Sequence, residues 1–417
     1  MRLLHTSDWH LGQTLHSYDR SYEHQRFLDW LLETLVAERI DALLIAGDIF
    51  DTANPSSSAQ KQLYRFLQQA RRRAPALDIV VIAGNHDSPG RLEAPGPLLE
   101  DHGTTVIGHV LRGADGAIDL ERMVVPLHDA GGQVAAWCLA VPFLRPGDVP
   151  RVPVEEGAPA PADPYMEGIA LLYRQAYALA GARRAPGQAI VAMGHCHMVD
   201  GQASLDSERR IVIGGTEALP AAVFDAGIAY TALGHLHLAQ RVGGKDHRRY
   251  CGSPLPLSFA EVNYRHQVLR IDLTDGAATV DALDVPRAVE LLRVPATPQP
   301  LDAVLLALAE LELAPLPPER QPFLEVRVLL DAPEPGLRAR IESVLADKPV
   351  RLAKIEPTRK QAAGAGAVDP ALSLDQLAQL QPDDIFKRLY LQRFGADAPD
   401  DQLAAFAELM LPGGEAS

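Results

Sequence analysis

Apolar residues in the first half of the chain follow two alternating rhythms. Short continuous apolar runs at residues 2–6, 41–48 and 78–87 are separated by stretches where apolar side chains recur every three or four positions. Phe27, Leu28, Leu31, Leu32 and Leu35 share one face of a helix predicted over residues 22–37, and Leu63, Phe66, Leu67 and Ala70 share one over 57–74. Strands alternating with helices predict an α/β domain with parallel pairing. The pattern loosens between residues 112 and 164, apart from a strand at 135–143, and resumes with a helix at 164–181. Apolar runs at 189–196 and 228–237 each end in Gly-His, and RRYCGSP and QVLRIDL predict antiparallel strands closing the domain. A smaller strand–helix–strand–helix–strand rhythm occupies about residues 288–358.

Residues 361–370, QAAGAGAVDP, are small and linker-like. Helical spacing then returns over 372–411, with one apolar stripe made by Ile385, Phe386, Leu389, Tyr390 and Phe394 and another by Leu403, Phe406 and Met410. The domain plan is a larger α/β domain over 1–280, a smaller one over 285–360, a linker over 361–370 and a helical tail over 371–417.

Composition narrows the class. With 47% hydrophobic and 22% charged residues, the 417-residue chain is neither collagen-like, coiled-coil nor wholly disordered. Its formal charge of −15 gives a nucleic-acid backbone no global attraction, so any DNA contact needs local basic patches, metal ions or a partner. Cys138, Cys196 and Cys251 are few and widely spaced, which points away from a disulfide framework and toward a reducing cytosol. The start, MRLLHTSDWH, meets polar residues too soon for a signal-peptide core, and no apolar run reaches the roughly 18 residues of a membrane span.

Five apolar runs end in ligand-type residues: SDWH (Asp8, His10), GDIFD (Asp48, Asp51), GNHD (Asn85, His86, Asp87), GHCH (His195, His197) and GHLH (His235, His237). Sites of open α/β sheets gather beyond the carboxyl ends of strands, so five such ends can converge on one point. Carboxylate with imidazole suits Mn²⁺, Fe²⁺ or Zn²⁺. Asp8, His10, Asp48, Asn85, His195, His235 and His237 are too many for one tetrahedral ion and fit two ions bridged by a carboxylate, the clamp used for displacement at phosphorus.

In this order D-x-H, G-D-x-x-D, G-N-H-D, G-H and G-H-x-H resemble the calcineurin-like metallophosphoesterases. HTSDWHLGQ, AGDIFDT, AGNHDS, ALGHLH and YCGSPLPLSF (residues 250–259) are similar, within that superfamily, to the SbcD-type nuclease subunits of SbcC–SbcD complexes. The resemblance implies a two-sheet sandwich flanked by helices, with the smaller α/β domain as a cap that contacts DNA. It implies Asp8, His10 and His237 on one ion, Asn85, His195 and His235 on the other, and Asp48 between them, with manganese as the metal. His86 is then a non-ligand that stabilises or protonates the leaving oxygen, and Asp51 its orienter. His197 is a neighbour outside the ligand set, and Cys196 a packing residue.

The resemblance further implies double-strand exonuclease and single-strand or hairpin endonuclease action in replication, recombination and repair. It implies a homodimer through the catalytic domain, within a heterotetramer, and a C-terminal helical segment gripping an SbcC-type ATPase through residues such as Ile385, Phe386, Leu389, Tyr390 and Phe394. The competing class is a stand-alone phosphodiesterase or phosphatase for small molecules. Basic clusters occur at Arg71–Arg73, Arg183–Arg184, Arg209–Arg210 and around Arg241, Lys245, Arg248 and Arg249. The Arg248–Arg249 pair adjoins the YCGSP segment and is the favoured DNA contact.

Overall fold

The computed structural model describes residues 1–100, 103–152, 163–199, 201–203, 218–332 and 334–359, together with 387, 390, 399, 402 and 403. Met1–Arg359 is one compact unit and Lys360–Ser417 a second. The first unit is built on two six-stranded sheets with a third, three-stranded sheet beside them.

The first sheet runs in the order Ala277–Asp284, Gln267–Thr274, Arg2–Thr6, Ala42–Ala46, Asp78–Ile82, Thr104–Ile107. Its last four strands are parallel. Nearly every position in the central strands is buried, because sheets covered on both faces have no solvent side. The two-residue period sorts these side chains. Leu3, Ala42, Leu44, Ala46, Val80 and Ile82 point into the core between the sheets. Their neighbours Leu4, Leu43, Ile45, Ile79 and Val81 pack outward against helices Ser21–Ala37 and Ser57–Arg73. A one-residue register slip would exchange the two sets, so the register is strongly fixed.

The second sheet runs Gln240–Val242, Lys245–Tyr250, Tyr230–Gly234, Ala189–His195, Val134–Ala140, Val124–His128. Its four central strands are parallel. Helix Pro164–Arg183 covers the outer side with Ile169, Leu172, Tyr173, Ala176 and Ala180. It starts at Asp163, whose carboxylate accepts the Tyr165 and Met166 N–H groups at 3.0 Å each, with Pro164 in the first turn where no N–H is needed.

RRYCGSP and QVLRIDL do not pair with each other. Lys245–Tyr250 joins the second sheet, parallel to Tyr230–Gly234, while Gln267–Thr274 crosses to the first sheet and pairs antiparallel with Arg2–Thr6. The next strand, Ala277–Asp284, completes the first sheet and extends past the boundary expected at residue 280.

The third sheet is parallel, in the order Leu291–Pro300, Phe323–Leu330, Arg351–Arg359. Helices Leu301–Ala309 and Leu337–Leu345 cover one face, where Val304, Leu308, Ile341 and Leu345 meet Leu324, Val326 and Val328. Leu291, Phe323 and Ala353 join Leu15, Phe259 and Val289 in a small core shared with the two-sheet domain. Each fully buried Leu, Val or Phe in such a core contributes roughly 1.5–3 kcal/mol. No helix among the described residues is long and apolar enough to cross a membrane.

Candidate metal centre

All five motif loops follow parallel strands of the two large sheets, at their carboxyl ends. Asp8 and His10 follow Arg2–Thr6, Asp48 and Asp51 follow Ala42–Ala46, and Asn85 and His86 follow Asp78–Ile82. His195 closes Ala189–His195, and His235 and His237 follow Tyr230–Gly234. The turns leave ordinary backbone space to aim these groups inward: φ is +55° at Asp8, +46° at His10, +49° at Asp48 and +102° at His235. Non-glycine residues held there are strained, and such strain clusters at functional sites. A Cβ on Gly84 would sit 2.1 Å from Asp48 Oδ1, and one on Gly234 would sit 1.9 Å from the Ala46 carbonyl. The loops close on each other only because these positions lack side chains.

The seven candidate ligands come together. Asp48 Oδ2 lies 3.4 Å from His195 Nε2 and 3.6 Å from His10 Nε2, while its Oδ1 accepts the His86 N–H at 2.9 Å. Asn85 Oδ1 lies 3.0 Å from His195 Nε2 and 3.1 Å from His235 Nδ1. Ligand atoms of Asp8, His10 and His237 lie within 4.8 Å of one another, as do those of Asp8, Asp48 and His195. Asp8 Oδ1 accepts the His235 N–H at 3.0 Å, and Ser7 Oγ donates to Asp8 Oδ2.

The donor set fits divalent ions. Three imidazoles have their outer nitrogen occupied: His10 Nδ1 by Asp51 Oδ1 at 3.2 Å, His195 Nδ1 by the Ala46 carbonyl at 2.9 Å, and His237 Nδ1 by Glu261 Oε1 at 2.9 Å. An Nδ1–H donated outward leaves the Nε2 lone pair facing the centre, the tautomer a metal ligand needs. The buried His10 Nε2 has no hydrogen-bond partner among the described residues, which fits a nitrogen that serves as a metal donor.

The electrostatics are those of a crowded buried site. Burial raises the Asp8 pKa above the usual carboxylate range, against the pull of His195 and His237. Burial acts in the same sense on Asp48, but His195, His10 and His86 outweigh it and hold that carboxyl below its usual range. Burial also disfavours charge on His195, yet Asp48 and Asp8 hold its pKa up at about 9. Burial and the neighbouring His195 push His235 down to about 3.

His86 is half-buried at the edge of this cluster, its ring centroid 4.9 Å from that of His10. Its Nδ1 lies 2.7 Å from the main-chain carbonyl of Asp51. Asp51 thus meets His86 through its main-chain carbonyl and His10 through its carboxylate, and that carboxylate also lies within 4.8 Å of a His86 ring nitrogen. His197 lies beside the ligands, its Nε2 3.3 Å from the Gly201 carbonyl and its ring 6.3 Å from that of His235. Cys196 Sγ packs 3.7 Å from Met198 Sδ.

Arg248 and Arg249 are taken up within the fold. The Arg248 guanidinium donates to the carbonyls of Ala221 at 2.9 Å and Phe224 at 3.3 Å. Arg249 has 13% of its side chain exposed and lies 3.5 Å from Asp246. The favoured DNA-contact pair thus faces loop carbonyls and Asp246 within the fold. Ile385, Phe386, Leu389 and Phe394 lie outside the described residues, as do Arg209 and Arg210; Tyr390 is helical and half-buried.

Two carboxylates outside the candidate ligand and catalytic sets support the centre. Asp87, 2% exposed, accepts N–H groups of Ile49 at 3.1 Å, Phe50 at 3.0 Å and Gly84 at 2.9 Å, tying the Asp48 loop to the Asn85 loop. Glu261, fully buried, orients His237. Asp87 was in view as the last letter of GNHD, and Glu261 lies two residues past the YCGSPLPLSF motif.

Comparison with known proteins agrees with this geometry. Residues 1–239 match the calcineurin-like phosphoesterase family, and residues 287–394 match the SbcD family described as the type 5 capsule protein repressor C-terminal domain. The chain is 41% identical over 390 residues to the SbcD component of the SbcCD nuclease of Rhodobacter capsulatus, covering 93% of each chain. It is 33% identical over 400 residues to the component of the same name in Escherichia coli K12, covering 93% of this chain and 92% of that one. It is 37% identical over 278 residues to that of Bacillus subtilis 168, covering 66% and 67%. With the catalytic family matched over the two-sheet domain and SbcD proteins matched along nearly the whole length, the chain belongs to the SbcD family of calcineurin-like nucleases.

Proposed function

We propose that this nuclease cleaves DNA phosphodiesters with two divalent cations, manganese first among them, as the catalytic half of a complex with an SbcC-type ATPase. The observation that carries the reading is Asp48 Oδ2, which faces His10 Nε2 from one loop and His195 Nε2 from the opposite sheet at 3.6 and 3.4 Å. A single carboxylate oxygen placed between two imidazoles is suited to bridging. Asp8, His10 and His237 would hold one ion and Asn85, His195 and His235 the other, with Asp48 shared. Bound there, the ions supply Lewis acidity to the phosphodiester and a water of lowered pKa.

The chain's own residues do the rest. Asp51 O and Asp48 Oδ1 fix His86 at its ring and its main chain. With Nδ1 committed to that carbonyl, Nε2 is the His86 nitrogen that would exchange a proton with a departing sugar oxygen. His10, His195 and His237 are held against rotation by Asp51, Ala46 and Glu261, so the ligand cage is organised before substrate arrives.

The cap domain and the tail beyond residue 360 favour a macromolecular substrate and a protein partner over a small phosphoester. Double-strand exonuclease and hairpin endonuclease action, a homodimer within a heterotetramer and a cytoplasmic setting complete the reading. The formal charge of −15 favours the alternative, a stand-alone small-molecule phosphodiesterase. A cleavage assay in Mn²⁺ with hairpin DNA, linear duplex and a bis-nitrophenyl diester, with and without the ATPase, decides between them. DNA cleavage stimulated by the ATPase is expected; hydrolysis of the small diester alone under every condition would overturn the DNA reading.

A further inference from the structure

The cap contains an ionic ladder built on one buried carboxylate, and its position in the fold calls for an explanation. Arg293, Glu325 and Lys354 lie side by side on the three parallel strands of the cap, each the register partner of the next. Glu325 is 1% exposed, with Arg293 Nε 2.6 Å from Oε2 and Lys354 Nζ 3.2 Å from Oε1. A buried ion pair is weak evidence for stability, since apolar residues of similar size often serve as well. This one does something further: Arg293 Nη2 donates to the main-chain carbonyl of Phe259, outside the cap.

Phe259 opens the single turn Phe259–Glu261, and its side chain is buried in the core shared with Val289, Leu291, Phe323 and Ala353. Ser258 Oγ caps that turn by accepting the Ala260 N–H at 3.2 Å. The turn ends at Glu261, whose Oε2 accepts the Leu257 N–H at 2.8 Å and whose Oε1 faces His237 Nδ1 at 2.9 Å. An unbroken line of hydrogen bonds and one short turn therefore joins the middle strand of the cap to an imidazole of the metal centre.

We propose that Arg293 is a positioning residue for the metal ligand His237, acting through the Phe259 carbonyl and Glu261, so that the seating of the cap sets cation affinity at one of the two ion positions. The inference rests on His237 being a ligand. It extends that reading by making the cap part of the metal site. At the other position, His195 is oriented by the Ala46 carbonyl and His235 Nδ1 faces Asn85, both contacts within the two-sheet domain.

The test is Mn²⁺ titration of the metal-stripped full-length chain, followed by electron paramagnetic resonance, with melting measured in chelator as a folding control. Loss of an outer contact to a ligand typically costs ten- to a hundred-fold in metal affinity. Arg293→Met is expected to weaken one of two Mn²⁺ sites at least ten-fold and leave the other as it was. The double variant R293M/E325M removes the stranded buried carboxylate and guards against a folding defect. R338M, on the exposed Arg338–Glu342 pair of the cap's outer helix, is expected to change neither site. Wild-type affinity at both sites in a folded R293M/E325M, or equal loss at both, overturns the proposal. H237A separates the two readings. If H237A abolishes one site while R293M/E325M does not, only the relay fails. If H237A binds like wild type, the ligand assignment beneath it fails.

Discussion

Asp51 reaches His86 through its main chain: the carbonyl lies 2.7 Å from His86 Nδ1, while the Asp51 carboxylate lies 3.2 Å from His10 Nδ1. The two functions of this residue can therefore be separated. His86→Ala is expected to keep both metal ions and lose a hundred-fold or more in turnover, the usual scale for a general acid or base. Asp51→Asn preserves the carbonyl and so the His86 contact, but weakens the acceptor behind His10. It is expected to lower Mn²⁺ affinity about ten-fold with a smaller fall in turnover at saturating metal. Metal titration paired with kcat in both variants is the check, and parallel loss of metal and turnover in H86A would remove His86 from the non-ligand role.

The Asp87 carboxylate serves the backbone. Its two oxygens take three N–H groups from two different loops in a position closed to water. Asp87→Ala strands those donors, each costing about 1–3 kcal/mol. We expect a loss of about 3 kcal/mol or more in urea unfolding performed in chelator, together with weakened metal binding, because the Asp48 and Asn85 loops part. A variant as stable as the parent would mean that the loops hold their shape without this clasp.

Much of this was legible because the active loops sit behind strands with strong signals. Asp41–Asp48 and Asp78–Asp87 are apolar runs ending in Gly and polar ligands, and the fold makes both of them central strands. Ala277–Asp284 was missed because it is an edge strand without a fully buried position, and its inward residues Ala278, Val280 and Ala282 make only a short, weak alternation. Glu261 was missed because its partner His237 is 24 residues away and the contact depends on how the chain crosses between sheets. For Arg248 and Arg249 the sequence is silent on direction. A cationic pair looks the same in sequence whether its guanidinium groups face solvent or loop carbonyls, and here Arg248 faces carbonyls.

The boundary after Arg359 gives a prediction about partnership. Met1–Arg359 is a compact unit containing all seven candidate ligands, Glu261 and the Arg293 ladder. The tail beyond it carries the apolar residues proposed to seat on the ATPase, whose sequence spacing is that of anchors laid in a partner's groove. Ending the chain at Gly364 is expected to abolish co-purification with the ATPase while Mn²⁺-dependent hydrolysis of a small diester stays within about two-fold. Undiminished binding by the shortened chain would move the interface onto the first unit.

Acid stability follows from histidines outside the metal cage. His5 lies fully buried between the sheets, its Nδ1 2.8 Å from Tyr230 Oη, and burial together with Arg249 lowers its pKa from 6.5 to about 3. Burial and the nearby Arg20 lower His24 likewise to about 3. Both rings are neutral in the fold and take up a proton on unfolding below 6.5. Their contribution is therefore complete above that pH and is lost as pH falls toward 3, at about 1.4 kcal/mol per pH unit for each ring. At pH 5 the pair is expected to cost roughly 4 kcal/mol relative to about pH 7.5. Measuring urea unfolding in chelator keeps metal release out of the result. The double variant H5F/Y230F replaces both hydrogen-bonding groups with apolar rings of similar shape, which can be nearly neutral for stability. It should reduce the slope of stability against pH by about one proton between roughly pH 6 and 4. If the slope is unchanged in that variant, the acid sensitivity arises elsewhere and His5 is not the buried neutral ring described here.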